Sequence, residues 1–177
     1  STHYPEEKYI IEALKEIQED IDIFIAPRNF NHNHKIIGIA EKTGRKTGRW
    51  SEGARDGIVL VDEYGVLSDL YRSADLAYVG GGFIKTGLHN ILEPLTENIP
   101  VICGPEGRNF SEDLDFFAEL GCVCICSDMQ HIVKSISYLY THRDKLKNMR
   151  SELERLSGSN KGTADRIHRY LEWNIYG

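Results

Sequence analysis

Residues 57–82 read Gly-Ile-Val-Leu-Val-Asp-Glu-Tyr-Gly-Val-Leu-Ser-Asp-Leu-Tyr-Arg-Ser-Ala-Asp-Leu-Ala-Tyr-Val-Gly-Gly-Gly. The apolar run 58–61 is typical of a buried strand, and the amphipathic stretch 65–73 is typical of a helix. A second apolar run, 76–79, predicts another strand that leads directly into three glycines. This order predicts parallel strands joined by a crossover helix. We therefore expect an α/β fold, a Rossmann-like parallel sheet with helices on both faces.

The same alternation extends along the rest of the chain. It predicts strands at 21–26, 46–50, 100–103 and 122–126, and helices at about 5–20, 34–42, 90–97, 111–120 and from 128 onwards, with breaks near 141–142 and 157–160. Thr2 is predicted to cap the first helix, and Ser111 and Gly121 to begin and end a later one. We expect residues 1–177 to form one domain whose C-terminal helices start near residue 128.

Composition limits the classes of partner. The chain has 21 Lys and Arg against 27 Asp and Glu, a net charge of −6, which disfavours non-specific binding to nucleic acid or to an anionic membrane. No apolar run approaches the roughly 20 residues that span a bilayer, so we expect no direct membrane insertion. The chain also begins without Met and without a signal-peptide pattern, and we expect it to be a fragment of a longer protein.

The four cysteines are Cys103, Cys122, Cys124 and Cys126. The period-two spacing of the last three predicts three thiols on one face of a strand. Such thiols could bind zinc or act as small buried hydrophobes. The absence of zinc-finger spacing favours the second interpretation and a reducing cytoplasm. His32 and His34 have no third ligand nearby, so we predict no metal site.

Ligands of open parallel sheets bind beyond the carboxyl ends of the strands, so we examined the strand-to-helix junctions. Residues 79–94 combine three glycines with a following helix. The glycines would let the backbone approach a ligand, and Glu93, about one turn inside the helix, could accept both hydroxyls of a ribose. The alternative is a tight loop followed by an ordinary first-turn Glu. The stretch is not a phosphate loop, because Gly-Lys-Ser/Thr is missing.

Three other junctions carry candidate residues. Arg28 follows a predicted strand and could bind a phosphate or remain a solvated loop residue. The Tyr64 ring, in the turn 62–67, could contact a base or lie on the surface. The loop 104–110 could form the rim of a cleft or merely connect two elements.

Read in order, these stretches resemble the C-terminal domain of the enzymes that transfer 3-deoxy-D-manno-octulosonic acid (Kdo). The resemblance covers nearly the whole chain, and its most specific part is the His-Asn-x-Leu-Glu-Pro element within Gly-Leu-His-Asn-Ile-Leu-Glu-Pro-Leu (87–95). It also includes residues 57–83, Pro-Val-Ile-Cys-Gly-Pro (100–105), Asn-Phe (109–110), Ser-Thr-His (1–3), Ala-Pro-Arg (26–28) and Arg-Trp-Ser-Glu-Gly (49–53).

The resemblance implies a GT-B enzyme of two Rossmann-like domains, of which this one binds the CMP part of the donor CMP-Kdo. It implies that Pro27 and Arg28 meet the CMP, with Arg28 at its phosphate. Tyr64, Gly65 and Val66 would flank the cytosine. A last contact stretch would comprise Asn90, Ile91, Leu92 and Glu93, with Glu93 on the ribose and the amides near Asn90 toward the phosphate. Two departures stand out: the family usually has Met-Gly-Glu at 64–66, and a second Gly at Leu88.

The implied reaction moves Kdo from CMP-Kdo to a lipid A precursor (lipid IVA) in lipopolysaccharide biosynthesis, without a cofactor, on the cytoplasmic side of the inner membrane. The general base, the acceptor site and the membrane anchor would belong to an N-terminal domain that is absent from this chain. No catalytic residue is therefore expected here, and the fragment should be inactive alone. The alternatives are another GT-B enzyme that uses a UDP-sugar, and a non-catalytic nucleotide-binding or protein-interaction domain.

Overall fold

The structure is a computed structural model that describes residues 1–14, 17, 21–84, 87–106 and 111–158. The described chain forms six short strands and seven α-helices. The elements are α1 (Glu6–Ala13), β1 (Ile23–Ile25), α2 (Asn33–Glu41), β2 (Thr47–Arg49), β3 (Ile58–Leu60), α3 (Leu67–Ser73), β4 (Ala77–Val79), α4 (Leu92–Thr96), β5 (Val101–Cys103), α5 (Ser111–Glu119), β6 (Val123–Ile125), α6 (Met129–Thr141) and α7 (Arg143–Gly158). The α/β prediction is confirmed.

All strand pairs are parallel, but the described strands form two sheets. β1, β3 and β2 lie side by side in that order, and β4, β5 and β6 form the second sheet. The N-terminal segment links the sheets at their carboxyl ends. Thr2 forms a parallel bridge with Pro27, and the Gly80 N–H donates to the Ser1 carbonyl at 3.1 Å.

Apolar side chains cover both faces of the second sheet. Alternate strand residues such as Val79 and Val101 pack against α3, α4, α5 and α7, whereas Ile102 packs on the other face against α6. Helix α1 contacts both sheets, because Ile11 joins the core of the first sheet and Ile10 belongs to a cluster that includes Tyr78 of β4. The two-sided cover that the alternating pattern predicted is therefore present.

The predicted cap of the first helix is wrong. Helix α1 begins at Glu6, and Thr2 lies in an extended segment instead. The Thr2 N–H donates to Ala26 O at 3.1 Å, and Thr2 O accepts the Arg28 N–H at 2.8 Å. Both backbone hydrogen-bonding groups of Thr2 therefore pair with the segment that follows β1, and Thr2 lies outside the helix. Most of the predicted continuation of α1 to residue 20 falls outside the described residues, as do residues 159–160 of the last predicted break.

The cysteine prediction is wrong for one of three residues. The last strand is only Val123–Ile125, so Cys122 precedes it and packs in the core with Val123. Cys124 and Cys126 lie on the opposite side, where both thiols approach the Ser135 hydroxyl, at 3.9 and 3.5 Å. Cys122 leaves the strand alternation because it closes the turn after α5, where its N–H donates to Phe117 O at 2.8 Å.

Candidate nucleotide site

The predicted site residues all follow the carboxyl ends of strands or begin the helix after them. Pro27 and Arg28 follow β1, residues 64–66 lie between β3 and α3, and residues 90–93 lead into α4 and include its first two residues. Since parallel strands place their carboxyl ends along one edge, the fold brings the three stretches to the same side of the molecule. β1 and β3 are direct neighbours, so the first two stretches are adjacent.

Arg28 is exposed, whereas Pro27 is buried beneath it. The Arg28 backbone is anchored, because its N–H donates to Thr2 O, and the Arg28 side chain projects from this fixed position. Burial lowers the pKa of the Ser1 amino group; among charged neighbours, Glu93 and Glu6 oppose this and Arg28 adds to it. The charges of Arg28 and Glu93 therefore act on the same point beside the N-terminal segment. An anion and a hydroxyl pair of one ligand could engage them together.

Tyr64 presents an open ring. Its side chain is 80% exposed and stacks on Phe30, with 4.6 Å between ring centroids and 26° between planes. The other ring face is available to a flat ligand group. Gly65 is exposed and has a φ of 86°, and Val66 precedes α3 without a side-chain capping bond. The third position of this stretch thus offers a ligand only backbone and apolar groups.

The start of α4 divides into buried and exposed residues. Ile91 and Leu92 are 0% and 5% exposed, so their side chains pack in the core and only their backbone could touch a ligand. Glu93 is exposed and is the second residue of the helix, not one turn inside it as predicted. Asn90 Oδ1 accepts the Leu92 N–H at 3.0 Å, and Asn90 Nδ2 lies 3.4 Å from Glu93 Oε1.

The glycine turn after β4 packs against other backbone segments, as expected for the tight-loop alternative, and the ligand-binding alternative stays a prediction. A Cβ on Gly81 would collide with the Gly87 carbonyl oxygen and would lie 2.9 Å from His89 Cδ2, and Gly81 has a φ of 89°. A Cβ on Gly82 would lie 2.7 Å from Gly104 Cα. Missing side chains here permit three loops to meet at the edge of the sheet. Residues 85–86 and 107–110 of these loops fall outside the described part.

Glu6 holds this turn in place, a role that sequence reasoning missed. Its carboxylate is buried and accepts the Gly81 N–H at 3.0 and 3.2 Å, the His3 N–H at 2.9 Å and the Tyr78 hydroxyl at 3.1 Å. One side chain therefore joins the N-terminal segment to the carboxyl end of β4. The two glutamates shortly after Ser-Thr-His were visible in the sequence, but Gly81, the partner of Glu6, lies 75 residues away.

Two histidines also meet at this edge. His3 Nε2 and His89 Nε2 are 2.7 Å apart, and their ring centroids are 4.7 Å apart. Burial, followed by the positive charges of the Ser1 amino group, His3 and Arg28, lowers the pKa of His89 to about 4. His89 is therefore neutral at pH 7, and a hydrogen bond between the two rings requires one Nε2 to donate to the other. The sequence showed these histidines as scattered, because 86 residues separate them.

The Arg-Trp-Ser-Glu-Gly stretch is organised by Asp62, at the end of β3. Its carboxylate accepts the Ser51 N–H at 3.0 Å, the Ser51 hydroxyl at 2.8 Å and Arg49 Nη1 at 3.3 Å. Burial works to raise the pKa of Asp62, but the hydrogen bonds from Ser51 and Arg49 outweigh it and keep the pKa below its usual value. The stretch thus buttresses the loop that carries Tyr64.

Leu88, where the resembling family usually has Gly, is 3% exposed and packs in the core, and its N–H donates to Glu106 O at 2.9 Å. Among the described residues, no group of three or more His, Cys, Asp and Glu side chains could hold a metal ion. No described helix has the length and apolar character needed to cross a membrane.

The chain is similar in sequence to known proteins. A Kdo transferase from Chlamydophila psittaci is 31% identical over 149 residues, which cover 82% of this chain and 34% of the relative. One from Aquifex aeolicus is 29% identical over 150 residues, 83% of this chain and 42% of that protein. The chain thus spans well under half the length of these relatives. No family model matches the chain.

One solved structure is similar throughout. The C-terminal CMP-Kdo binding domain of WaaA from Acinetobacter baumannii superposes with a TM-score of 0.77 and 28% identity, over 88% of this chain and 84% of that domain. The chain therefore shares the overall fold of that domain over this range.

Proposed function

Because the chain belongs to the Kdo transferase family, with the fold of its C-terminal domain, we propose that it binds the nucleotide of CMP-Kdo at the carboxyl edge described above. The observation that carries the proposal is the shared fold with a CMP-Kdo binding domain, since that fold brings the three stretches of the resemblance to one edge. In the full-length enzyme the domain would serve Kdo transfer to a lipid A precursor. The acceptor site and the general base would lie in an N-terminal domain, on the cytoplasmic side of the inner membrane.

Each part of the nucleotide has a matching group. The exposed Arg28 guanidinium suits the phosphate, because its planar donors pair with two phosphate oxygens. The Glu93 carboxylate suits the ribose hydroxyls, since an ionised carboxylate can only accept hydrogen bonds. The open face of Tyr64 suits the cytosine ring. Gly65, Val66 and the residues 90–92 would contribute backbone contacts.

The domain's share of catalysis would be stabilisation of the leaving group. As the bond from the sugar to the phosphate breaks, negative charge grows on the departing CMP, and a fixed cation such as Arg28 favours that charge more strongly in the transition state. No cofactor is needed for such a displacement. The remaining gain would come from orientation of the donor against the acceptor, which requires both domains.

Calorimetric titration of the chain with CMP and UDP tests the proposal. CMP should bind more tightly than UDP, and both Arg28→Ala and Glu93→Ala should weaken CMP binding about tenfold or more, the effect of losing one charge-assisted contact. Arg72→Ala and Glu97→Ala are matched controls, because these residues form an ion pair at the last turns of α3 and α4, at the opposite edge. Preference for UDP would point to another GT-B donor, and equal loss in all four variants would contradict the site.

A further inference from the structure

The Tyr64 ring takes its orientation from a neighbouring segment of the chain. Residues 63–65 are exposed, and a Cβ on Gly65 would meet nothing within 4 Å. Gly65 has a φ of 86°, and Val66 precedes α3 without a side-chain capping bond. One face of the Tyr64 ring lies on Phe30, with 4.6 Å between the ring centroids. Because the tip of its own loop is open, the stack on Phe30 fixes the ring.

Phe30 is itself held by local hydrogen bonds. It begins a short 3₁₀-helix, Phe30–His32, which follows the extended residue Asn29. The Asn29 side chain accepts the Asn31 N–H at 2.9 Å, and the Phe30 carbonyl accepts the N–H of Asn33, a buried residue at the start of α2. The half-buried Phe30 ring therefore rests on a capped turn that is continuous with a packed helix.

The same short helix makes a second ring contact and carries the candidate cation. His32 stacks on Tyr4, with 4.8 Å between centroids and 9° between planes, so the 3₁₀-helix touches both the segment before α1 and the loop after β3. Arg28 lies two residues before Phe30. One hydrogen-bonded segment therefore holds the cation that suits a phosphate and the ring that supports Tyr64, which fixes the spacing between these two parts of the site.

Ring stacking is the main interaction that residues 64–66 offer to a base. The side chains of Gly65 and Val66 contain no polar group, so the edge of a base can meet only backbone groups there. The plane of a base can stack on Tyr64, because every nucleobase has a π-face. An unsupported Tyr64 side chain would lose conformational freedom on binding, whereas a ring that Phe30 has already ordered would lose little.

We propose that Phe30 is a positioning residue for the base: it presents the Tyr64 ring so that Phe30, Tyr64 and the pyrimidine form a stack of three rings. Phe30 acts on the ligand through Tyr64 and does not touch it. The inference rests on the proposed function, because it concerns the same site. Phe30 lies outside the stretches that carry the family resemblance, which end at Arg28 in this part of the chain and resume at residue 49.

A double-mutant cycle in the full chain, read by calorimetric titration with CMP, tests the proposal. Phe30→Leu and Tyr64→Leu should each weaken CMP binding about three- to tenfold, the usual effect of one aromatic stack. The double variant should bind as Tyr64→Leu does, because Phe30 has no effect once the ring is gone. Phe30→Tyr keeps the ring face and should bind CMP as tightly as the unaltered chain.

Tyr138→Leu is a matched control. Tyr138 is 48% exposed and stacks on His142, with 4.1 Å between centroids and 24° between planes. This pair lies at the opposite edge, since the next residue, Arg143, pairs with Asp75 just before β4. The substitution should leave CMP binding unchanged. Urea denaturation of each variant measures its folding, and Phe30→Met takes the place of Phe30→Leu in the cycle if the leucine variant does not fold.

CMP binding that depends on Arg28 and Glu93 but is unchanged in Phe30→Leu would overturn this inference and leave the proposed function standing. Additive losses from Phe30→Leu and Tyr64→Leu would overturn it as well, because Phe30 would then act apart from the Tyr64 ring. Tighter binding in Phe30→Leu would show that Phe30 occupies the place of the base, which is the opposite of support. No CMP binding by the unaltered chain would refute the proposed function and this inference with it.

Discussion

Substitution of Gly81 by Ala separates two explanations of the glycine turn. Gly81 and Gly53 have the same φ of 89°, but a Cβ on Gly53 would meet nothing within 4 Å, whereas one on Gly81 would collide with the Gly87 carbonyl oxygen. Gly53→Ala therefore measures the backbone cost alone, about 1–2 kcal/mol, partly offset by a less flexible unfolded chain. Gly81→Ala adds displacement of a packed segment, an overpacking cost of about 1–3 kcal/mol.

Urea denaturation, followed by circular dichroism, measures the difference. With a slope of about 2 kcal/mol/M, Gly81→Ala should unfold at a midpoint about 0.5–1.5 M below that of Gly53→Ala. The reasoning is refuted if the two midpoints agree to within about 0.2 M. If Gly81→Ala instead weakens CMP binding with no excess loss of stability, the turn cradles a ligand and does not serve internal packing.

Three further predictions concern titratable groups. Glu6→Ala should lower the free energy of unfolding, measured by urea denaturation, by roughly 3–5 kcal/mol, because it leaves three donors without their charged acceptor. Glu12 is exposed on the same helix, and Glu12→Ala should change this free energy by less than about 0.5 kcal/mol. The pKa of His89 is about 4 in the folded protein and about 6.5 in the unfolded chain, so only the unfolded chain binds a proton at His89 as the pH falls between these values. The free energy of unfolding should therefore fall over that window. His89→Gln should flatten the curve of unfolding midpoint against pH. Iodoacetamide at pH 7.5 should modify Cys124 before the other thiols, as measured by peptide mass spectrometry, because the Cys124 thiol is partly exposed and hydrogen bonding from Cys126 lowers its pKa. Burial raises the pKa of the Cys103 thiol to about 12, and faster labelling of Cys103 would contradict the prediction.

Element order and type could be predicted from local pattern. Each predicted strand exists, shortened by one to three residues, because the ladder ends before the apolar run does. The predicted helix start near residue 128 and the predicted break at Thr141–His142 are also confirmed. The structure adds that Asp128 caps α6, because its side chain accepts the His131 N–H at 2.7 Å. Local signals succeed here because capping and periodicity are decided within a few residues.

Contacts between distant segments could not be predicted in this way. The sequence by itself determined the α/β class, the strand-to-helix junctions that hold Arg28, Tyr64 and Glu93, and the resemblance that suggests their ligand. Only the tertiary structure decided that Thr2 joins a sheet and does not cap a helix, and that Glu6 holds the glycine turn. The physical reason is that hydrogen bonds and close packing between residues separated by about 75 positions leave no periodic trace in the chain.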